Sequence, residues 1–235
     1  MSGRRAWVAV VAAVLIAGMV IGALEGAGVI WKDEPEPAPP APGVTWLTSI
    51  PTSFPLGRSL PEPGGDNEPR ETSDALDTPW TLALCGSAES ATDAGRVDFR
   101  TVVQPIPAAG HVRQLGLYAD ADAAHAVVED FLRRLNECPT VTVPDGGPVG
   151  DATVRWQRRP LAAGEEAFVA IATHEGSVQA SHYAVVRVGN AVYAQTYDGE
   201  FAGAPEGADA ADRRARPIAR RMAARMCVFA AAPCG

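Results

Sequence analysis

Residues 179–198 read QASHYAVVRVGNAVYAQTYD, and this stretch decides the fold. Small, β-branched and aromatic side chains fill both halves, with Gly189-Asn190 between them. A Gly-Asn pair between two such runs marks a two-residue hairpin turn, because glycine accepts the backbone angles a tight turn requires. The spacing predicts strands Gln179–Val188 and Ala191–Asp198. Val188 then faces Ala191, Val186 faces Tyr193, and His182 faces Tyr197. Side chains alternate along a strand, so Ser181, Tyr183 and Arg187 share one face and His182, Tyr193 and Tyr197 the other.

Outward from the hairpin, Thr153–Arg159 alternates around Val154 and Trp156. Ala167–Thr173 is apolar on both faces, as a central strand should be. Phe99–Ile106 and Val112–Tyr118 read as strands joined through a turn with Pro107 and Gly110, and His111 falls at that turn. Trp80–Cys85 suits a strand or a helix end. Ala124, Val127, Val128, Phe131 and Leu135 recur at three- and four-residue steps, the period of an amphipathic helix. Asp120 or Asp122 is its N-cap, and Pro139 stops it just after Cys138. Ala208–Arg216 and Pro217–Val228 read as a broken helix or a helix pair, with Pro217 in a first turn. Ile218, Met222 and Met226 form the buried stripe. The order predicts an α+β fold, a largely antiparallel sheet with packed helices.

Upstream, Ala6–Leu24 carries no charge, with Arg4 and Arg5 before it and Glu25 after it. Its length corresponds to about 28 Å of helix, near a hydrocarbon core of about 30 Å. The expectation is a single transmembrane anchor at 6–24, with a cytoplasmic stub at 1–5 and everything later on the extracytoplasmic side of the plasma membrane. A cleaved signal ending near Gly26–Gly28 is the alternative. No cysteine stands directly after the run, which excludes a lipoprotein anchor.

Half of the 20 prolines lie between Pro35 and Pro69. Trp31–Asp74 is acidic and poor in apolar residues, so residues 25–74 are expected to form an extended, disordered tether reaching on the order of 100 Å. One island, Val44–Leu56, holds Trp46, Leu47, Ile50 and Phe54. It reads as residual stickiness in a disordered chain or as a segment docking on the domain or a partner. Residues 75–235 form the expected domain, long enough for one core. The whole chain carries a net charge of −8, which argues against nucleic acid as a partner.

Cys85, Cys138, Cys227 and Cys234 are the four cysteines, all beyond the apolar run. An even number in an exported domain reads as two disulfides. Of three pairings, Cys85–Cys138 with Cys227–Cys234 is favoured, since the last two need only a short turn. The spacings match no common zinc pattern, and no cofactor is expected.

Several motifs occur together. Trp80 and Cys85 precede a strand ending Tyr118-Ala119-Asp120. A helix closing Leu135-Asn136-Glu137-Cys138-Pro139 follows, then Gly164-Glu165-Glu166-Ala167, the hairpin Val186-Arg187-Val188-Gly189-Asn190-Ala191-Val192, and Arg225-Met226-Cys227. This set resembles the PknH-like extracellular sensor domain of mycobacterial receptor kinases and stand-alone actinobacterial exported proteins. The resemblance covers nearly all of Ala75–Cys234 and none of the tether. It implies an α+β domain with disulfides, Cys85–Cys138 being the family-like bridge, and a central cleft thought to bind an extracellular ligand. Cys227–Cys234 departs from the pattern at the extreme C-terminus. No kinase signature is present, so any signalling runs through a membrane partner protein.

No hydrolase, zincin or phosphate-loop motif occurs. His174-Glu175 and His182 are the residues a base would use, and both have a plain structural reading. Arg187, Tyr183 and Trp156 make the candidate contact set for an anionic ligand, because arginine forks two donors onto an oxyanion. An internal salt bridge from Arg187 to Asp198 or Glu166 is the competing reading. His182, Tyr193 and Tyr197 form a candidate polar lip. Arg213, Arg214, Arg216, Arg220, Arg221 and Arg225 read as a solvated helix face, or as contacts to an anionic wall polymer. The expected function is a membrane-anchored ligand-binding or sensing module without catalysis, its ligand an extracellular small molecule or cell-wall component. A structural or protein-interaction module and an exported hydrolase are the alternatives.

Overall fold

The hairpin forms in the register its turn dictates. Val188 opposes Ala191, Val186 opposes Tyr193 and His182 opposes Tyr197. Gly189 takes a φ of +55° while Asn190 stays at negative φ, the II′ pattern whose twist suits antiparallel strands. The computed structural model describes residues 44–60, 69–82, 84, 91–106, 109–143, 152–175, 179–200 and 204–232. Among them the strands are β1 (Glu71–Ser73), β2 (Arg96–Ile106), β3 (Ala109–Tyr118), β4 (Thr140–Val143), β5 (Ala152–Pro160), β6 (Glu166–His174), β7 (Gln179–Val188) and β8 (Ala191–Glu200). The helices are α1 (Ala121–Glu137) and α2 (Ala204–Arg225), the latter followed by a 3₁₀ turn at Met226–Phe229.

All eight strands join one sheet in the order β1-β2-β3-β8-β7-β6-β5-β4. Every pairing is antiparallel. The expected α+β architecture is therefore present. β6, β7 and β8 lie inside the sheet, which explains their apolar character on both faces.

The two faces carry separate cores. On one, α1 packs Ala124, Val127, Val128, Phe131 and Leu135 against Phe99, Phe168, Val185 and Val192. The Asp120 side chain accepts from the Ala123 amide at 2.8 Å, the N-cap expected from sequence. Trp80, Leu82 and Leu84 fill this core in an irregular segment, not a strand.

The other face is covered by α2, the Met226–Phe229 turn and a strap from the N-terminal side. α2 is one continuous helix with Pro217 inside it, where a break or pair was expected. An interior proline costs about 3 kcal/mol by losing one bond and crowding the preceding turn. Burying Ala211, Ala215, Ala219 and Met222 along the same stripe offsets that, at about 1.5–3 kcal/mol for each large apolar side chain and less for alanine.

The strap corrects the expected boundary. Residues 45–60, assigned with the tether 25–74 on composition, belong to the compact unit, which begins at Thr45 rather than at residue 75. Ile50, Phe54, Leu56 and Leu60 are buried in the core beneath α2. Phe54 packs its ring 5.4 Å from that of Phe229. The Ile50 amide donates to Asp98 at 2.6 Å, and the Asn190 side-chain amide donates to the Leu47 carbonyl at 2.8 Å. Docking on the domain is thus the reading of the Val44–Leu56 island that holds, and β1 adds residues 71–73 as an edge strand.

Residues 6–24 lie outside the described residues. Among those described, no helix is long and apolar enough to cross a membrane. Cys138 and Cys227 are disulfide-bonded, and none of the described cysteines is free. Cys85 and Cys234 lie outside the described residues, and the pairing with them.

Candidate functional site: an arginine-walled cavity beneath α2

β3 supplies the decisive side chains. His111, Arg113, Leu115 and Leu117 alternate onto the face beneath α2. Two of these positions are leucines in the core and two are polar, so the polar pair sits where the core runs out. There a cavity of about 410 Å³ opens between sheet and helix. The sheet contributes His111, Arg113, Gln195 and Tyr197. Helix α2 contributes Ala211, Arg214, Ala215 and Ile218, and the strap closes one side with Ser59 and Leu60.

Arg113 is 3 % exposed, and no carboxylate pairs with it among the described residues. Its Nη1 donates to the carbonyl oxygen of Leu56 at 3.0 Å and also to that of Arg58. Its Nε and Nη2 donate to no acceptor among the described residues. Burial lowers its pKa from the ordinary arginine value, and the charges of Arg70 and Arg221 push the same way, with Tyr193 opposing. A guanidinium remains charged under such a shift. Buried charges are normally paired, so this cation is set up for a counter-ion at the cavity wall.

His111 stacks on Tyr197 with ring centroids 4.5 Å apart and planes 28° from parallel. Burial, then the Arg113 charge, lowers the His111 pKa to about 4. It is therefore neutral at physiological pH and offers a flat face with one donor and one acceptor. Its position inside β3 corrects the turn placement expected from sequence. Gln195 bridges: it accepts from the Tyr193 hydroxyl at 3.0 Å and donates to the Ala215 carbonyl of α2 at 3.2 Å.

The expected polar lip divides. Tyr197 lines the cavity. Tyr193 is fully buried and acts through Gln195. His182 is buried under α2, with Nε2 3.3 Å from Asp212 and Nδ1 without a partner among the described residues. Burial lowers the His182 pKa, with Asp212 pulling it back and Arg216 adding to the fall. Burial would raise Asp212, but hydrogen bonds from Arg216 and His182 hold it below the usual carboxylate range. The His182–Asp212 pair ties sheet to helix.

The other expected set lies on the α1 face. Trp156 and Tyr183 do meet, with ring centroids 5.3 Å apart. Arg187 is spent internally: Nε donates to Glu166 at 2.7 Å, and Nη1 donates to Glu165 at 2.7 Å and to the Gly189 carbonyl at 3.0 Å. Nη2 also pairs with Glu166. The internal reading of Arg187 is the one observed, and its acid is Glu166, shared with Glu165, rather than Asp198. His125 binds Glu166 from α1 at 2.9 Å, and Glu175 next to His174 pairs with Arg155.

Sequence reasoning missed Arg113, His111 and Gln195. The available signal was Arg113 in phase with Leu115 and Leu117, a cation on the inward face of a strand.

No family model matches the chain, and no curated protein matches it. Among solved structures the chain is similar to the crystal structure of the extracellular domain of PknH from Mycobacterium tuberculosis. The two share 17 % identity over 66 % of this chain and 84 % of that one, with a TM-score of 0.43. A likeness of that depth carries no argument about this cavity.

Proposed function

We propose that this chain is a non-catalytic, extracytoplasmic ligand-binding domain, held to the plasma membrane by residues 6–24, whose ligand is an oxyanion with an apolar body. The observation that carries this reading is Arg113, a buried guanidinium on a cavity wall that has, among the described residues, two nitrogens without acceptors and no carboxylate beside it. The apolar body fits against Leu60, Ala211, Ala215 and Ile218, and the stacked His111–Tyr197 pair offers a flat wall for a ring. The apolar run, the cysteines and the acidic tether support the address.

Titration of the full chain, in phosphatidylcholine nanodiscs, with naphthalene-2-sulfonate and neutral 2-naphthol tests the site. Saturable binding is expected, about tenfold tighter for the sulfonate, since a charge-assisted pair contributes about 1.5–3 kcal/mol. Arg113→Lys, which keeps charge but loses the fork, should remove most of that preference. Absence of saturable binding by either compound would overturn the proposal.

A further inference from the structure

A second recess, of about 210 Å³, adjoins the cavity, and Ser59 and Ile218 line both. Its remaining walls are Arg58, Arg221, Met222 and Arg225. The three arginines are exposed, and among the described residues none has a carboxylate partner. Other arginines vary: Arg100, Arg133, Arg155, Arg187 and Arg216 each hold an acid, whereas the exposed Arg158, Arg213, Arg214 and Arg220 have none among the described residues. Arg221 and Arg225 are four residues apart on α2, the spacing at which like charges repel across a helix face. Three converging cations with no acid among the described residues form a repulsive cluster. An oxyanion relieves it.

We infer that this recess is a second oxyanion subsite, so that the ligand is a bis-anionic molecule with its apolar body in the cavity, one anionic group on Arg113 and the other among Arg58, Arg221 and Arg225. This rests on the ligand-binding reading above. Ser59 stands at the seam with a φ of +68°, the one non-glycine residue at positive φ among those described. Backbone strain of that kind concentrates at ligand clamps. It turns the strap so that Leu60 faces the cavity and Arg58 the recess. The charge of Arg221 acts on Arg113, so the two subsites share one positive field.

The test compares one anionic group with two on the same ring system. The full chain in phosphatidylcholine nanodiscs is titrated with naphthalene-2-sulfonate and naphthalene-2,6-disulfonate, then with biphenyl-4-sulfonate and biphenyl-4,4′-disulfonate to vary the spacing. At least one disulfonate should bind about tenfold tighter than its monosulfonate. The double variant Arg221→Ala, Arg225→Ala should abolish that gain, so that each disulfonate binds no tighter than its monosulfonate. Two disulfonates no tighter than their partners, or a gain that survives the double variant, would overturn the subsite and leave the cavity reading intact. No binding by any of the four would overturn both. Repeating the titration in phosphatidylglycerol nanodiscs separates the sources of the second group. A gain lost there places a lipid headgroup in the recess, and a gain retained assigns it to a soluble molecule.

Discussion

Arg113 of β3 donates a 3.0 Å hydrogen bond to the carbonyl oxygen of Leu56, joining the cavity wall to the strap across 57 residues of chain. The same guanidinium holds the Arg58 carbonyl, so the strap's path past the cavity depends on a side chain that also faces the ligand space. A ligand anion on Arg113 would therefore act on the strap.

The strap is part of the folded unit, so its removal should be costly. A chain starting at Ala75 loses the core side chains Ile50, Phe54, Leu56 and Leu60 and leaves the Arg113 Nη1 without acceptors. Its melting temperature should fall sharply below that of a chain starting at Thr45. Phe54→Ala alone, in the longer chain, should cost about 3 kcal/mol in a urea titration, as buried aromatic truncations do. Equal stability of the two truncations would show that the strap packs without contributing.

Gly189 is required twice over. Its φ of +55° suits glycine, and an added Cβ would stand 1.9 Å from the Phe229 carbonyl oxygen. That atom is backbone and cannot swing aside. Gly189→Ala should therefore cost at least about 1–2 kcal/mol and displace the C-terminal turn from the hairpin. Thermal unfolding measures the first effect, and hydrogen exchange at the Ala230 amide, which bonds the Cys227 carbonyl at 3.1 Å, measures the second.

Peptide mapping under non-reducing conditions should recover Cys85 linked to Cys138 and Cys227 linked to Cys234. Cys138 caps the end of α1 and Cys227 sits in the closing turn, so each bridge pins an element end. Reduction should cost about 2–5 kcal/mol for each bridge. A peptide joining Cys138 to Cys234 would reject the pairing.

Much of this fold was legible because local and tertiary signals agree. The hairpin and α1 each pair a periodic pattern with a turn or cap residue, and both lie as read. The strap was legible only in part: the Val44–Leu56 island stood out, but the prolines around it placed it with the tether. Composition averages over a window, whereas burial selects individual side chains. Pro217 misled for the opposite reason: its local preference is strong, and sheet packing overrides it. At the site, Arg187 and Arg113 look equivalent in sequence. Only the positions of Glu165 and Glu166 show which is neutralised, and those acids reach Arg187 through the fold.

Stability and ligand affinity should respond to acid in opposite directions. His111 and His182 both have pKa values lowered in the folded state, chiefly by burial. Their unfolded value is about 6.5, so below that pH the unfolded chain binds protons the folded chain refuses. Stability is therefore full above about pH 6.5 and falls with acid until the folded groups titrate, near pH 4 for His111. Asp212, held below its ordinary value, adds its own loss only at lower pH. The urea midpoint should thus drop steadily from pH 7 to pH 4.5, with part of the slope removed by His111→Gln. Protonating His111 beside Arg113 adds a second cation to the cavity, so naphthalene-2-sulfonate should bind more tightly at pH 4.5 than at pH 7, and His111→Gln should abolish that gain. An unfolding midpoint independent of pH across this range would show that neither imidazole is held neutral by the fold.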